Sequence, residues 1–281
     1  MAVIMDGKSL AAEIKADILR EVRNLSYSVC LAVIIVGENP ASRIYVNSKK
    51  KDCEECGIKS EEYALPADVG EERLLALVAE LQNRTDVNGI LVQLPLPEGY
   101  GYHADKIIRV IPPEKDVDAF HPYNVGLLMT GHGCLLPCTP AGVMALLDKY
   151  AIDPAGKRCV VIGRSDIVGK PQAMLLLQRD ATVTICHSKT ENLAEITREA
   201  DILISAVGRP NLITADMVKQ GAAVIDVAMN RNDRGKLCGD VDFQAVRERA
   251  SYITPVPGGV GPMTRAILMK NTVTAAKLQN S

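Results

Sequence analysis

The chain has 281 residues, 47% of them hydrophobic and 23% charged, with 32 Lys and Arg against 34 Asp and Glu for a formal net charge of −2. That balance excludes collagen, coiled coil and a disordered chain, and it supplies no basic field to grip a nucleic-acid backbone. At this length about two domains are expected, burying roughly three quarters of the unfolded surface without a metal or disulfide staple.

Taken in order, Leu10, Ile14, Ile18, Val22 and Leu25 mark one face of a first helix, and Val29 to Val36 is an apolar run of strand length that Gly37 ends. Pro40 suits a helix start, and the helix it opens runs to Gly57, a C-terminal cap. A strand near Tyr63, a helix from Glu71 to Asn83 and a buried strand from Gly89 to Leu94 follow. Beyond Pro112-Pro113 the stretch Glu114 to Cys138 is polar and irregular, and reads as a connection carrying functional loops. Thr139-Pro140 reads as N-cap and first helical position of a helix ending near Tyr150. Strands are then expected at 158–162, 181–186, 201–207 and 222–227, and helices at 167–179, 191–199 and 214–220. A last helix runs from about Pro262 to Leu278. Strand runs alternating with amphipathic stretches predict parallel α/β sheets, the second half in a doubly wound, Rossmann-like layout.

No apolar run reaches the roughly 18 residues that a membrane span needs, and Met1 to Leu10 lacks a leader pattern, so a cytoplasmic protein is expected. Eight cysteines (Cys30, Cys53, Cys56, Cys134, Cys138, Cys159, Cys186 and Cys238) are scattered, as reduced buried thiols would be. Cys53 and Cys56 have a C-x-x-C spacing but no second pair and no nearby His, so no metal site is expected.

Strand Cys159 to Ile162 runs into Gly163-Arg164-Ser165-Asp166-Ile167-Val168-Gly169-Lys170-Pro171 and then into a helix. That context lets backbone N–H groups receive a pyrophosphate, although Ser165 stands for the second glycine of the common pattern and the last glycine falls one place late. The next strand ends in His187-Ser188-Lys189-Thr190, with no carboxylate before Glu191 to hold a ribose diol. Arg164 and Ser188 suit a 2′-phosphate, so the turn reads as NADP-selective. In the first half, Tyr45 and Lys49 lie four apart on one helical face; taken alone, Lys49-Lys50-Lys51 reads as a solvated basic patch.

Six strings decide between these readings: Tyr45 to Lys49; Val92-Gln93-Leu94-Pro95-Leu96-Pro97; Lys115-Asp116-Val117-Asp118; Pro137-Cys138-Thr139-Pro140; Gly163 to Pro171; and Pro255-Val256-Pro257-Gly258-Gly259-Val260-Gly261-Pro262-Met263-Thr264. In this order, and along essentially the whole chain, they resemble the bifunctional methylenetetrahydrofolate dehydrogenase/cyclohydrolase family. The resemblance implies an enzyme of one-carbon metabolism that oxidises 5,10-methylenetetrahydrofolate with NADP and hydrolyses the methenyl product to 10-formyltetrahydrofolate. It implies Lys49 as the central catalytic group, with Tyr45 positioning the folate and Gln93 tuning Lys49. Asp118 would receive the pterin, and the loop Pro257, Gly258, Gly259 would approach the flat ligand, whereas Asp116 reads as structural. Gly163, Arg164, Ser165, Ile167, Ser188 and Thr139 are the implied cofactor contacts. The implied domains are 1–137 plus 264–281 for folate and 138–263 for NADP, with a cleft between them, in a homodimer.

Ala119, Ala228-Met229 and Arg265 depart from the family pattern, and a positive φ at Ala119 or Ala228 would add about a kcal/mol or more of strain. The alternatives weighed are another two-domain NADP-dependent dehydrogenase of shikimate dehydrogenase type, and a nucleotide-sensing module without turnover. The former would lack the Gln93 string and the Pro-Gly-Gly-Val-Gly loop; the latter would tolerate loss of Lys49.

Overall fold

The computed structural model describes residues 1–133, 135–232 and 235–281, so Cys134 lies outside the described residues. In chain order the elements are β1 (Val3–Ile4), α1 (Gly7–Arg23), β2 (Cys30–Val36), α2 (Pro40–Cys56), β3 (Lys59–Leu65), α3 (Glu71–Gln82), β4 (Gly89–Val92), α4 (Ala104–Ile108), α5 (Pro122–Met129) and α6 (Cys138–Lys149). There follow β5 (Arg158–Ile162), α7 (Gly169–Leu177), β6 (Thr182–Cys186), α8 (Leu193–Arg198), β7 (Ile202–Ser205), β8 (Ala223–Asp226), β9 (Asn230–Arg231), β10 (Leu237–Cys238), α9 (Phe243–Arg247), β11 (Tyr252–Ile253) and α10 (Val260–Gln279).

The chain divides into two compact units, Glu13–Leu136 with Leu268–Ser281, and Met1–Ala12 with Pro137–Ile267. In the first, β2 pairs in parallel with β3 on one side and β4 on the other. All seven residues of β2 are buried, which is why its sequence is an unbroken apolar run. Leu74, Val78 and Leu81 of α3 share one buried cluster with Ile34, Ile90 and Val92, each such burial contributing about 1.5–3 kcal/mol. Asn39 opens α2 by accepting from the N–H groups of Ala41 and Ser42, and Gly57, at φ 71°, closes it. The stretch after Pro112-Pro113 is more regular than its composition predicts, since it holds α5 and a parallel bridge from Asp116 to Ile90.

The second unit carries a six-stranded parallel sheet in the order β1-β11-β8-β7-β5-β6. From β5 the chain goes to β6 on one side and then to β7 on the other, so the topological switch lies between β5 and β7, at whose carboxyl ends such folds bind ligands. Met1–Ala12 clusters with this unit because β1 pairs with β11, and two-residue strands leave no periodicity from which the pairing could be read. Two local expectations change. The helix expected at 214–220 is a single 3₁₀ turn, Ala215–Met217. Thr139 is not an N-cap: α6 starts at Cys138 after Pro137 with no side-chain cap, and the Thr139 hydroxyl faces that of Thr264 at 2.9 Å.

Among the described cysteines, Cys30, Cys53, Cys56, Cys138, Cys159 and Cys186 are buried free thiols. Burial pushes Cys53 and Cys56 up to about 12, so both stay protonated.

Candidate active site

Lys49 sits one turn after Tyr45 on α2, half-buried, while Tyr45 is 37% exposed. The Lys49 Nζ donates to Gln93 Oε1 at 2.9 Å. Gln93 follows β4 directly, its own N–H bonded to the Ile34 carbonyl of β2, so the pair stands at the carboxyl end of the three-stranded sheet. Gln93 Nε2 donates to the Leu94 carbonyl at 2.6 Å, which fixes the amide so that its oxygen must face Lys49. A neutral acceptor can hold either the charged or the neutral amine, which suits a group that exchanges a proton.

Asp118 lies half-buried in the same unit, and its approach is built partly by residues the sequence did not single out, Asn271, Gln82, Arg84 and Asn124. From the Ile90–Asp116 bridge the segment runs parallel to β4. Asn271 of α10 donates to the Val117 carbonyl at 2.8 Å. Lys115 Nζ donates to the Gln82 and Arg84 carbonyls at 3.0 and 2.7 Å, past the end of α3. Asp116 is buried and accepts from the His121 N–H and the Asn124 amide, and burial holds its carboxyl up at about 6. Ala119, directly after Asp118, has φ 59°. A side chain there adds about 1–2 kcal/mol of left-handed strain beside Asp118. Ala228 is not among the residues of positive φ, so that departure carries no such strain.

In the second unit, Gly163 ends β5 at φ 121°, and a Cβ on it would lie 2.5 Å from the Ala206 carbonyl oxygen after β7. A Cβ on Gly169 would lie 2.2 Å from the Gly163 carbonyl oxygen. Both glycines are required by close backbone approach, and the turn they make offers bare backbone at the switch point. Ser165 Oγ accepts from the Val168 and Gly169 N–H groups, both at 3.2 Å, so it caps α7 from inside the turn. Arg164, Ile167 and Ser188 are exposed. The His187 to Thr190 turn is closed by Thr190 Oγ1 accepting from the His187 N–H. This cradle fits a dinucleotide phosphate, with a cation and a hydroxyl at the ends of two neighbouring strands.

Pro257, Gly258 and Gly259 belong to this second unit, not to the unit of Lys49, Gln93 and Asp118. Gly258 has φ 110° and its carbonyl accepts from the Lys8 N–H. A Cβ on Gly7 would lie 1.8 Å from the Gly259 carbonyl oxygen, so the loop is seated against the start of α1. Thr139 is in the same unit. The arrangement thus brings Lys49 directly to Gln93 and sets the Gly163 turn against the loop after β7.

Residues 5–118 match the family described as tetrahydrofolate dehydrogenase/cyclohydrolase, catalytic domain, and residues 137–280 match its NAD(P)-binding domain. The bifunctional protein FolD of Lachnoclostridium phytofermentans is 56% identical over 280 residues, covering 99% of each chain. A solved structure of the bifunctional FolD methylenetetrahydrofolate dehydrogenase/cyclohydrolase from Campylobacter jejuni is 52% identical with a TM-score of 0.97, covering 99% of each chain. The Trypanosoma brucei enzyme, solved with NADP cofactor and inhibitor, is 41% identical with a TM-score of 0.93, covering 99% of this chain and 98% of that one.

Proposed function

The chain belongs to the tetrahydrofolate dehydrogenase/cyclohydrolase family, and from that premise we propose how its residues divide the work of the two reactions. It is an enzyme that oxidises 5,10-methylenetetrahydrofolate to the 5,10-methenyl cation with NADP and hydrolyses that cation to 10-formyltetrahydrofolate. The alternatives, a shikimate-type dehydrogenase or a non-catalytic module, are not favoured by a family match over both halves.

Lys49 carries the acid–base chemistry, and the observation behind this is its 2.9 Å bond to an amide oxygen locked toward it. In the hydrolysis a water oxygen bonds to the methenyl carbon and Lys49 takes the water proton; as the bond from that carbon to the ring nitrogen breaks, the nitrogen receives a proton, and one proton is released overall. Gln93 keeps the amine aimed through both steps. Tyr45, one turn earlier and part-exposed, orients the folate ring, and Asp118 accepts from the pterin amino edge with its two oxygens. Pro257, Gly258 and Gly259 bring backbone to the flat ligand. NADP, when bound, would supply the hydride acceptor; Gly163, Ser165, Ile167 and Thr139 would hold and orient it, and Arg164 and Ser188 would receive its 2′-phosphate. Folate binding is assigned to 1–137 plus 264–281 and NADP binding to 138–263.

The deciding experiment is a spectrophotometric assay of purified protein with methylenetetrahydrofolate and NADP, followed by hydrolysis of supplied methenyl substrate. No NADPH formation sinks the first assignment; no hydrolysis sinks the second. Asp118→Asn is expected to raise the folate KM about 10- to 150-fold in both reactions, the worth of a charge-assisted hydrogen bond of about 1.5–3 kcal/mol. An unchanged folate KM would leave Asp118 a structural role.

A cytoplasmic homodimer is part of the same reading. Supporting it are the buried free thiols, the lack of any described helix long and apolar enough to cross a membrane, and the exposure of Ile185 on β6, the edge strand of the larger sheet. Sedimentation at micromolar concentration should give twice the chain mass; the single-chain value would refute the dimer.

A further inference from the structure

Asp240 has no part in the assignments above, yet it is fully buried and its two carboxylate oxygens collect five donors. Oδ1 accepts from the Arg209 N–H at 2.6 Å and from Asn230 Nδ2 at 3.0 Å. Oδ2 accepts from Ser205 Oγ at 2.9 Å and from the Val207 and Gly208 N–H groups at 2.9 and 3.3 Å. Three consecutive amides converging on one anion form a nest, and Gly208, at φ 72°, supplies the left-handed residue that turns them inward. Such a nest would ordinarily receive a ligand's phosphate; here the protein's own carboxylate fills it.

The loop so held follows β7 directly, and its first residue, Ala206, is the one whose carbonyl oxygen excludes any side chain from Gly163. The loop therefore forms one wall of the switch point whose other wall is the Gly163 turn. Asp240 is itself held in place by a second carboxylate. Asp226, at the end of β8, accepts from the Asp240 and Val241 N–H groups at 3.1 and 2.8 Å. Gly239 is needed for this, since a Cβ there would lie 1.9 Å from Asp226 Oδ2.

We propose that Asp240 is a positioning residue for the NADP site: by occupying the nest of Val207, Gly208 and Arg209 it holds the loop after β7 in the shape that receives the cofactor, and keeps those amides from binding phosphate themselves. The proposal rests on the assignment of NADP to the Gly163 turn. An amide cannot replace the carboxylate, because either orientation of an Asn sets its NH₂ against a backbone N–H, that of Arg209 at one oxygen's place and those of Val207 and Gly208 at the other's.

The test is NADP affinity by fluorescence titration, with hydrolysis of supplied methenyl substrate as the second readout and thermal melting as the third. Asp240→Asn is expected to raise the NADP Kd at least about tenfold, as loss of hydrogen bonds to a charged group implies, and Asn230→Ala less, about threefold, because Ser205 and the three amides still hold the carboxylate. Both should leave hydrolysis within about twofold of wild type. Equal NADP affinity in folded variants overturns the proposal, as does a parallel fall in hydrolysis, which would mark a merely structural role. Should Asp240→Asn not fold, Asn230→Ala decides alone, because it removes one donor and leaves the carboxylate four. A wild-type protein that does not bind NADP would instead overturn the cofactor assignment itself.

Discussion

Lys49→Met is expected to abolish measurable cyclohydrolase activity and to lower the dehydrogenase severely, with NADP affinity nearly unchanged. Met keeps the length and apolar stem of the lysine and removes only the amine, so Gln93 Oε1 loses its donor at 2.9 Å while the helix stays intact. Positioned proton transfer is worth about 10²- to 10⁴-fold, and that is the fall expected in kcat for hydrolysis. NADP affinity is spared because Lys49 and the Gly163 turn belong to different units of the chain. Stopped-flow decay of the methenyl chromophore and an NADP titration on the same preparation would check both halves. A variant that still hydrolyses the methenyl substrate at the wild-type rate would remove Lys49 from the mechanism. One that loses NADP affinity as well would point to a folding defect.

The second large effect is expected at Arg164. Its side chain is exposed on the turn after β5, and Ser188 is exposed past the end of β6, the neighbouring strand. On the proposed reading, they receive a 2′-phosphate from two strand ends. A charge-assisted bond contributes about 1.5–3 kcal/mol, so Arg164→Ala should raise the NADP KM about 10- to 150-fold. Turnover with NAD should barely change, since NAD carries no 2′-phosphate, and hydrolysis of supplied methenyl substrate should be spared. Steady-state kinetics with both nucleotides decide the matter. An unaltered preference in the variant, or equal kcat/KM for NAD and NADP in the wild type, would defeat the 2′-phosphate assignment.

The legible part of this protein had physical causes that act locally. Val29 to Val36 read as a strand because β2 is buried on both faces and so has no polar side to interrupt the run. The bounds of α2 were legible because Pro40 and Gly57 are residues whose backbone preferences act at helix ends, and Gly57 takes the left-handed conformation its position demands. The 3₁₀ turn at Ala215–Met217 reads as a helix in the sequence because one turn and two turns leave similar traces in a short window. Thr139 reads as a cap in the sequence because Thr before Pro is a common helix opening, whereas its hydroxyl is turned to Thr264.

By itself the sequence determined the α/β class, the parallel strands, the two halves and the residue types able to move a proton or hold a phosphate, because each depends on composition, spacing or the backbone preferences of Gly and Pro. Only the tertiary structure decided which of those residues meet. Lys49 reaches Gln93 across 44 positions because β2 and β4 are neighbours, with Gln93 tied to the end of β2. Asp240 reaches Val207 across 33 positions because β8 neighbours β7 and Asp226, at the end of β8, holds the Asp240 N–H. Met1–Ala12 joins the second unit through two residues of β1, too few to carry any period. Hydrogen bonds of this kind are satisfied only once the chain has closed on itself, and no local pattern of side chains records the partner in advance.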